Sequence, residues 1–260
     1  MRRGWRRLAL AAISLMLVAF IFYRWRHSRP TSDGTWARVQ QTGVLRVGMD
    51  ASYPPFSDAP SGTPVGLDVD LINEIGRRLH ARIEITNMGF DGLYDSLYTR
   101  QVDVLISALS IDPAQLGRVM YTRSYIDAGQ VIVSQDDKLR RMPDLEGRTV
   151  AVEYGSTGDE VARLWQRRLH RLGIAHFTTP DEAMDAVQQG KADAALTDWV
   201  TARLYLRTHQ GPSISPDRVT SDVYALAVRL LSYDLAGAIN AALNDMERDG
   251  TLEAIVRRWL

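Results

Sequence analysis

Three side chains that can hold a small molecule stand close together in the segment Asp50–Phe56. Asp50, Tyr53 and Phe56 follow a strand-like run, Val44–Met49, and precede a loop and a helix with an apolar stripe. Open α/β sheets bind their ligands just beyond the carboxyl ends of strands, and the two prolines in this turn stiffen it. Aromatic rings in such a place suit the apolar face of a ligand or a cation.

Two further strand-to-helix junctions carry polar groups. The loop Gly155–Gly158 follows a strand and opens a helix, so its backbone N–H groups and two hydroxyls form an anion site. Asp198 ends an apolar strand and opens the next helix, where it serves as an N-cap, as a ligand acceptor or as both. Phe90 stands before another helix, as a core residue at the helix start or as a ring facing a ligand.

Strand and helix patterns alternate along the chain, which predicts an α/β fold of parallel strands joined by crossover helices. The polar and aromatic residues named above fall where predicted strands end. The predicted strands are Leu45–Met49, Ile83–Thr86, Val104–Ser107, Gln130–Val133, Thr149–Val152, Ala194–Thr197 and Leu226–Val228. The predicted helices are Asp68–His80, Leu93–Arg100, Gly158–Leu169, Pro180–Gln189, Asp198–Leu206, Leu235–Asp249 and Thr251–Trp259.

The composition excludes several classes of function. The chain has 31 basic and 31 acidic residues, but seven arginines and no acid lie in the first thirty positions, so the remainder carries a net charge of minus seven. That charge argues against a nucleic-acid partner. Cysteine is absent, which excludes disulfides and thiolate metal sites. The five histidines lack metal-ligand spacing and no P-loop occurs, so we expect neither a metal nor a cofactor.

The segment Leu8–Tyr23 is an unbroken apolar run with arginines on both sides. With Trp25 it reaches about eighteen residues, at the short edge of the roughly 17–25 that a spanning helix needs. It ends in bulky and basic residues instead of the small residues of a cleavage site. The pattern therefore favours an uncleaved signal anchor, a transmembrane helix, over a cleaved signal peptide. The stretch His27–Trp36 is typical of a short linker.

From about Gly43 to its end the chain resembles the family 3 extracellular solute-binding proteins, the amino-acid receptors of ABC importers. The resemblance rests on the turn Tyr53–Phe56, followed at a characteristic spacing by Val65–Leu71. It implies an α/β fold of the two-lobed periplasmic-binding-protein type, with two crossing hinge strands and a ligand cleft that closes by a hinge motion. The expected division is 1–35 for the signal anchor and linker, 36–128 with 224–260 for lobe 1, and 129–223 for lobe 2.

The resemblance also implies which residues touch the ligand. The expected ligand contacts in the aromatic wall and its turn are Asp50, Tyr53, Phe56 and Phe90. In lobe 2, Asp198 matches the family's ammonium-binding aspartate. Ser156 and Thr157 match its carboxylate-binding loop. The remaining expected contacts, all in lobe 1, are Ser107, Ala108, Leu109, Ser110, Gln115 and Arg118.

One position departs from the family pattern, because Gln115 stands where the family has a carboxylate-binding arginine. A glutamine offers only a neutral donor where arginine makes a bidentate, charge-assisted pair. Either Arg118, three residues further on, takes the role, or the ligand has no carboxylate there. In the second case Asp50, Asp112, Glu153 and Asp198 would form an acidic cleft suited to an amine. The sequence favours the second alternative.

The resemblance leads us to expect a receptor, not an enzyme, that binds an amino acid or a related small amine. Its partners would be the ABC transporter permease and, through the N-terminal helix, the inner membrane, with the folded part a monomer on the periplasmic face. The alternatives are an enzyme similar to periplasmic cyclohexadienyl dehydratases and a sensory ligand-binding domain. A dehydratase needs a positioned acid, for which Glu153 and Asp112 are the candidates. It also needs cationic partners for the carboxylates of its substrate, and the absence of an arginine at position 115 counts against this.

Overall fold

The computed structural model describes residues 32–260. The predicted membrane segment Leu8–Tyr23 lies outside the described residues, and so does the first part of the predicted linker. Within 32–260, no helix is both long and apolar enough to cross a membrane. The end of the predicted linker belongs to the folded part, because a helix begins at Thr35 and Asp33 accepts a 3.0 Å hydrogen bond from Arg229 Nε.

Twelve strands and eight α-helices follow one another in the described part of the chain. The strands are β1 (Val44–Met49), β2 (Ser52–Tyr53), β3 (Ser57–Asp58), β4 (Arg82–Asn87), β5 (Val104–Leu105), β6 (Val119–Asp127), β7 (Gln130–Ser134), β8 (Thr149–Glu153), β9 (Gly173–Phe177), β10 (Ala194–Asp198), β11 (Ser213–Arg218) and β12 (Val223–Arg229). The helices are α1 (Thr35–Thr42), α2 (Leu67–Arg78), α3 (Leu93–Tyr98), α4 (Thr157–Gln166), α5 (Pro180–Gln188), α6 (Trp199–Leu206), α7 (Tyr233–Arg248) and α8 (Thr251–Trp259).

The larger strands form two five-stranded sheets, one in each lobe. The first sheet has the order β4-β1-β5-β12-β6 and the second the order β11-β7-β10-β8-β9. Helix α2 covers the first sheet with an apolar stripe of Leu67, Leu71, Ile72 and Ile75, all fully buried, as its sequence spacing predicts. The core of the second sheet is built from residues such as Val131, Val133, Ala151 and Ala195.

Both sheets are mixed, so the predicted parallel pairing holds for part of each sheet, and β7 and β12 depart from it. Strand β1 is parallel to β4 and β5, and β8 is parallel to β9 and β10, but β12 is antiparallel to β5 and β6. The reason lies in the connections between the lobes. The chain leaves the first sheet through β6 and returns through β12, and two neighbouring strands that cross one boundary in opposite directions must be antiparallel.

The predicted strands and helices all occur, with ends that differ by a few residues, but several elements escaped prediction. Strand β6 mixes polar and apolar residues without strict alternation, since its burial does not follow a two-residue period. Strands β9 and β11 lie at the two edges of the second sheet, where much of each strand is not buried. Edge strands need few apolar residues, so the hydrophobic pattern gives little signal.

The two connections between the sheets run side by side and are clamped by Asp127. Its Oδ1 accepts hydrogen bonds of 2.9 Å from the backbone N–H groups of Gly129 and Asp222, and its Oδ2 accepts one of 2.9 Å from Ser221 Oγ. Burial acts to raise the pKa of Asp127, but these hydrogen bonds outweigh it and the pKa is lowered. The carboxylate is therefore ionised at neutral pH and holds the two crossings together.

Candidate functional site

A cavity of about 350 Å³ lies between the two sheets, beside the crossing strands. This volume suits a ligand of amino-acid or small-amine size, near the lower end of typical ligand pockets. Both lobes and both crossings contribute to its wall. The lining residues are Tyr53, Pro54, Pro55, Phe56, Ala128, Gly129, Gln130, Glu153, Ser156, Thr157, Gly158, Leu196, Thr197, Asp198, Val200, Thr201, Leu204, Thr220, Asp222 and Tyr224.

Three aromatic rings form one wall of the cavity. Tyr53 stacks on Phe56 with ring centroids 5.8 Å apart and planes 8° apart, and Phe56 meets Tyr224 edge to face at 5.4 Å. Phe56 is buried in the lobe 1 core, whereas Tyr53 is 54% exposed. Gly66 allows this packing, because a Cβ at its position would lie 2.2 Å from the Phe56 carbonyl oxygen. The rings are thus held in place before any ligand arrives.

Tyr224 presents a neutral hydroxyl beside two carboxylates. Burial, followed by the neighbouring Tyr53, Asp222 and Asp198, raises the pKa of Tyr224. The phenol therefore keeps its proton at physiological pH and offers both a donor and an acceptor to a ligand. Tyr224 and Asp222 belong to the return crossing and were not predicted to touch ligand.

Three acidic side chains line the cavity and no arginine or lysine is among the described lining residues. Asp198 caps helix α6, since its Oδ1 accepts a 2.9 Å hydrogen bond from the Thr201 N–H. Asp222 accepts a 2.8 Å hydrogen bond from Ser110 Oγ through its Oδ1. Glu153 ends strand β8 and is half-buried. The wall is therefore complementary to a cation.

The first turn of helix α4 faces the same cavity. Ser156 is its N-cap: Oγ accepts from the Asp159 N–H at 3.2 Å and donates to the Glu153 carbonyl oxygen at 2.8 Å. The backbone N–H groups of Thr157 and Gly158 belong to the first turn, where a helix leaves its N–H groups without intrahelical partners. These free N–H groups at a helix N-terminus suit an anion.

Just behind this turn, Asp159 holds the approach to the helix in place. Its carboxylate accepts from the Gly155 N–H at 3.0 Å and is paired with Arg163 and His176. The guanidinium of Arg163, more than any other group, lowers the pKa of Asp159. The carboxylate is therefore already ionised and paired, so it is engaged in positioning the loop 155–158 and not in ligand contact.

Five of the residues predicted to touch ligand line this cavity: Tyr53, Phe56, Ser156, Thr157 and Asp198. The other eight lie outside its lining. Asp50 organises the turn, because its Oδ2 accepts from the Phe90 N–H at 3.0 Å and its Oδ1 from Ser52 Oγ at 2.6 Å. Phe90 itself is 51% exposed on the surface of lobe 1.

The predicted loop Ser107–Ser110 lies next to the cavity without lining it. Leu109 is buried, and its carbonyl oxygen accepts a 3.0 Å hydrogen bond from the Ala225 N–H. Ser107 Oγ accepts from the Asp50 N–H at 3.2 Å. Ala108 has a φ of 45°, a left-handed conformation that non-glycine residues rarely adopt. Ser110 reaches the cavity only through its bond to Asp222.

Gln115 and Arg118 both interact with Tyr98 instead of the cavity. The Tyr98 hydroxyl donates to Gln115 Oε1, and the Arg118 guanidinium lies 4.0 Å from the centroid of the Tyr98 ring. Of the four acids proposed for an acidic cleft, Glu153 and Asp198 line the cavity. Asp112 instead caps a short 3-10 turn by accepting from the Ala114 N–H at 2.8 Å.

Sequence reasoning missed the part of the site that the crossings supply, namely Gly129, Gln130, Thr220, Asp222 and Tyr224. These residues lie in or beside the two connections between the sheets, from β6 to β7 and from β11 to β12. Their position could have predicted this role, because residues at a hinge between two lobes border the cleft between them. No motif marks them individually.

Comparison with known proteins identifies the architecture. The family model described as bacterial extracellular solute-binding proteins, family 3, matches residues 45–260. The chain belongs to this family. The family 3 protein described here is 30% identical over 225 residues to the arginine-binding extracellular protein ArtP of Bacillus subtilis, a match that covers 83% of this chain and 85% of ArtP.

Solved structures agree with the two-lobed fold of this family 3 protein. An ancestral cationic amino acid solute binding protein matches with 29% identity and a TM-score of 0.63, covering 86% of this chain and 99% of that one. An ancestral cyclohexadienyl dehydratase matches with a TM-score of 0.75 and 23% identity, covering 90% of this chain and 98% of that one. At that identity the second likeness shows the fold alone.

Proposed function

We propose that this protein is the extracytoplasmic receptor of an ABC-type importer and that it binds a cationic ligand, a basic amino acid or a small amine, between its lobes. The observation that carries the ligand class is the charge of the cavity wall. Glu153, Asp198 and Asp222 line it, and no described lining residue is an arginine or a lysine. The relatives named for arginine and for cationic amino acids support the same ligand class.

Each group in the wall has a role in this proposal. Tyr53 covers the ligand with its exposed ring face, stacked on the fixed ring of Phe56. A cation over an aromatic face and beside carboxylates is stabilised by both interactions. Asp198 binds an ammonium group of the ligand through the carboxylate oxygen that does not cap helix α6.

A ligand carboxylate, where one is present, would lie at the first turn of helix α4. Ser156 and Thr157 border that turn, and its N–H groups supply partial positive charge. This arrangement does not use Gln115 or Arg118, whose side chains are occupied with Tyr98. A small amine without a carboxylate would leave the turn to water.

The lobes of this proposal are 36–128 with 224–260, and 129–223. Closure about the crossings brings Phe90 and the loop Ser107–Ser110 toward the ligand held by lobe 2. Phe90 is 51% exposed and Tyr154 is 71% exposed, so both rings are free to meet a ligand or the opposite lobe on closure.

We further propose that residues 8–23 form a transmembrane helix that anchors the monomeric receptor in the inner membrane, with the lobes on the periplasmic side. The support is the apolar run and its flanking arginines. Carbonate extraction of membranes tests the anchor: the full chain should stay in the pellet, and Leu15→Arg with Leu17→Arg should release it. Full release of the unaltered chain would contradict the anchor.

A dehydratase is the competing function, and the cavity disfavours it. Glu153, Asp198 and Asp222 are available as acids, but the described wall has no cationic side chain to bind a substrate's carboxylates. A dianionic substrate beside three acids would be repelled.

Thermal stabilisation of the full chain in detergent, against basic amino acids, diamines, acidic amino acids and prephenate, tests the proposed function. A ligand at a hundred times its Kd stabilises the native state by about 2.7 kcal/mol. We expect stabilisation by members of the basic amino-acid or diamine groups. Stabilisation by acidic amino acids alone would contradict the proposed ligand class, and conversion of prephenate would contradict the receptor function.

A further inference from the structure

The side chain of Gln130 is an unsatisfied polar group in the wall of the cavity. Gln130 begins strand β7, directly after the first crossing, and is only 7% exposed. Its backbone is fully engaged, with the N–H donating to Thr220 Oγ1 at 2.9 Å and the carbonyl oxygen accepting from the Val219 N–H at 2.8 Å. Its carboxamide oxygen Oε1 is buried and has no hydrogen-bond partner within residues 32–260.

Buried acceptors without partners are rare in native proteins, and each calls for an explanation such as a ligand. The surroundings of Gln130 supply one. Oε1 lies 3.1 Å, and the Leu196 carbonyl oxygen 2.5 Å, from the point that a Cβ on Gly158 would occupy. The buried end of the carboxamide therefore shares a small space with a second acceptor, which is an unfavourable place for an oxygen.

A half-turn of the carboxamide removes this conflict. It exchanges Oε1 and Nε2, which have nearly the same shape. The NH₂ group then takes the buried place of Oε1, near the Leu196 carbonyl oxygen, and Oε1 takes the place of Nε2 on a residue that lines the cavity. Gly158 keeps the space for this rotation open, because it has no side chain.

The oxygen that this rotation presents to the cavity has Asp198 as its neighbour. Asp198 and Gln130 are directly paired in the register of the antiparallel strands β10 and β7. Directly opposite residues of such strands project to the same face, with Cβ atoms about 4.5–5.5 Å apart. An ammonium group between them could donate to both, with Asp198 supplying the charge and Gln130 a neutral acceptor.

We propose that Gln130 is a ligand-binding residue, and that its carboxamide oxygen and the Asp198 carboxylate together accept hydrogen bonds from an ammonium group of the bound ligand. This inference rests on the proposed function and specifies which groups hold the ligand's cation. A single acid binds any cation that fits, whereas two acceptors side by side match the several N–H donors of a primary ammonium. The pair thus selects primary amines over quaternary ones, which have no N–H.

Isothermal titration of the full chain in detergent with L-arginine and with 1,4-diaminobutane tests the inference. The variants are Gln130→Leu and Gln130→Glu, with Gln101→Leu as the control on an exposed residue of lobe 1. Thermal melts of each variant show whether the fold is kept. We expect Gln130→Leu to raise the Kd roughly 10- to 100-fold, while Gln101→Leu changes nothing.

Gln130→Glu tests whether the Gln130 side chain accepts a hydrogen bond from the ligand or donates one to it, because a carboxylate can only accept. If Gln130 accepts from an ammonium group, the added charge keeps the Kd within about threefold of the original or lowers it. A Kd that rises more than about tenfold in this variant, while its melting temperature stays that of the unaltered chain, would show that the NH₂ group serves a ligand anion, and would overturn the inference. An unchanged Kd in Gln130→Leu would overturn it as well, with the proposed function intact. Absence of binding of every basic amino acid and diamine to the unaltered chain would overturn both.

Discussion

The Asp68 carboxylate accepts a 2.7 Å hydrogen bond from the backbone N–H of Ala108, forty residues further along the chain. Its second oxygen accepts a 2.8 Å hydrogen bond from the hydroxyl of Tyr125. Ala108 stands at a left-handed φ of 45° in the middle of the loop Ser107–Ser110. A buried acid at the start of helix α2 thus fixes a strained loop at the edge of the binding site.

Stability should depend on the protonation of Asp68. Burial raises the pKa of Asp68 to about 7, against the opposing hydrogen bonds from Tyr125 and Ala108. An unfolded aspartate titrates near pH 3.9, so the folded state binds this proton more tightly. The resulting stabilisation is complete below pH ~4 and is lost as the pH rises through about 7, with a total on the order of a few kcal/mol.

Urea unfolding between pH 4 and 8 measures this contribution. The unaltered chain should lose stability over that range, and Asp68→Asn should show a flatter profile because the titrating group is gone. Asp137→Asn, on an exposed acid, serves as the control and should keep the original slope. Equal slopes in the chain and in Asp68→Asn would show that Asp68 does not titrate in this range.

Substitutions at Tyr53 and Phe56 should have different effects, with Tyr53→Ala weakening ligand binding and Phe56→Ala lowering stability. Phe56 is 1% exposed, so Phe56→Ala leaves a cavity and should lower the free energy of unfolding by about 3–5 kcal/mol. Tyr53 is 54% exposed, so Tyr53→Ala should leave stability within about 1 kcal/mol while raising the Kd for a cationic ligand. Chemical unfolding and titration calorimetry on both variants check this. An unchanged Kd in Tyr53→Ala would show that the Tyr53 ring does not contact the ligand.

Gly129 should be intolerant of any side chain. A Cβ there would lie 2.0 Å from the Thr220 carbonyl oxygen, across the two crossings. Gly129→Ala must push the crossings apart, which should cost about 1–3 kcal/mol of stability and weaken ligand binding. Gly237→Ala is the matched control, because nothing lies within 4 Å of its added Cβ; a helical alanine there should be neutral or stabilising. Equal melting temperatures would argue against close contact of the crossings.

Arg118 should have little influence on ligand affinity. Its exposed side chain lies over Tyr98, outside the cavity, and an exposed cation–π contact contributes only about 0.5–1 kcal/mol. We expect Arg118→Ala to change the Kd for L-arginine by less than about threefold in titration calorimetry. A rise of more than about tenfold would show that Arg118 replaces the family's arginine and binds the ligand carboxylate.

The sequence predicted most of the lobe architecture, because apolar periodicity and strand-to-helix turns are local signals. It placed Tyr53, Phe56 and Asp198 by their positions after strands β1 and β10. It could not show that Asp50 supports the Phe90 backbone while Asp222 lines the cavity. Both are acids beside predicted strands, and their difference arises only when the crossings bring distant segments together.

Gln130 illustrates the same limit. In the sequence it is one polar residue before an apolar strand, a pattern typical of any strand end. Its proposed role depends on three features of the packed structure. These are the strand register that pairs it with Asp198, the lack of a side chain at Gly158, and the nearby Leu196 carbonyl oxygen. Local pattern identifies elements, whereas an unpaired atom is a property of the packed structure.

The most direct test of the central claim compares ligands of equal shape and different charge. Titration calorimetry would measure the Kd of L-arginine against neutral L-citrulline, and of 1,4-diaminobutane against 1,4-butanediol, for the unaltered chain and for Asp198→Asn. Asparagine is an equally good N-cap, so this variant removes the charge and keeps helix α6. We predict that the cation of each pair binds at least about tenfold more tightly. Asp198→Asn should reduce the preference for 1,4-diaminobutane over 1,4-butanediol, and should weaken L-arginine and L-citrulline alike, because both carry the α-ammonium group. Equal or tighter binding of the neutral member in both pairs would contradict a cation-binding receptor.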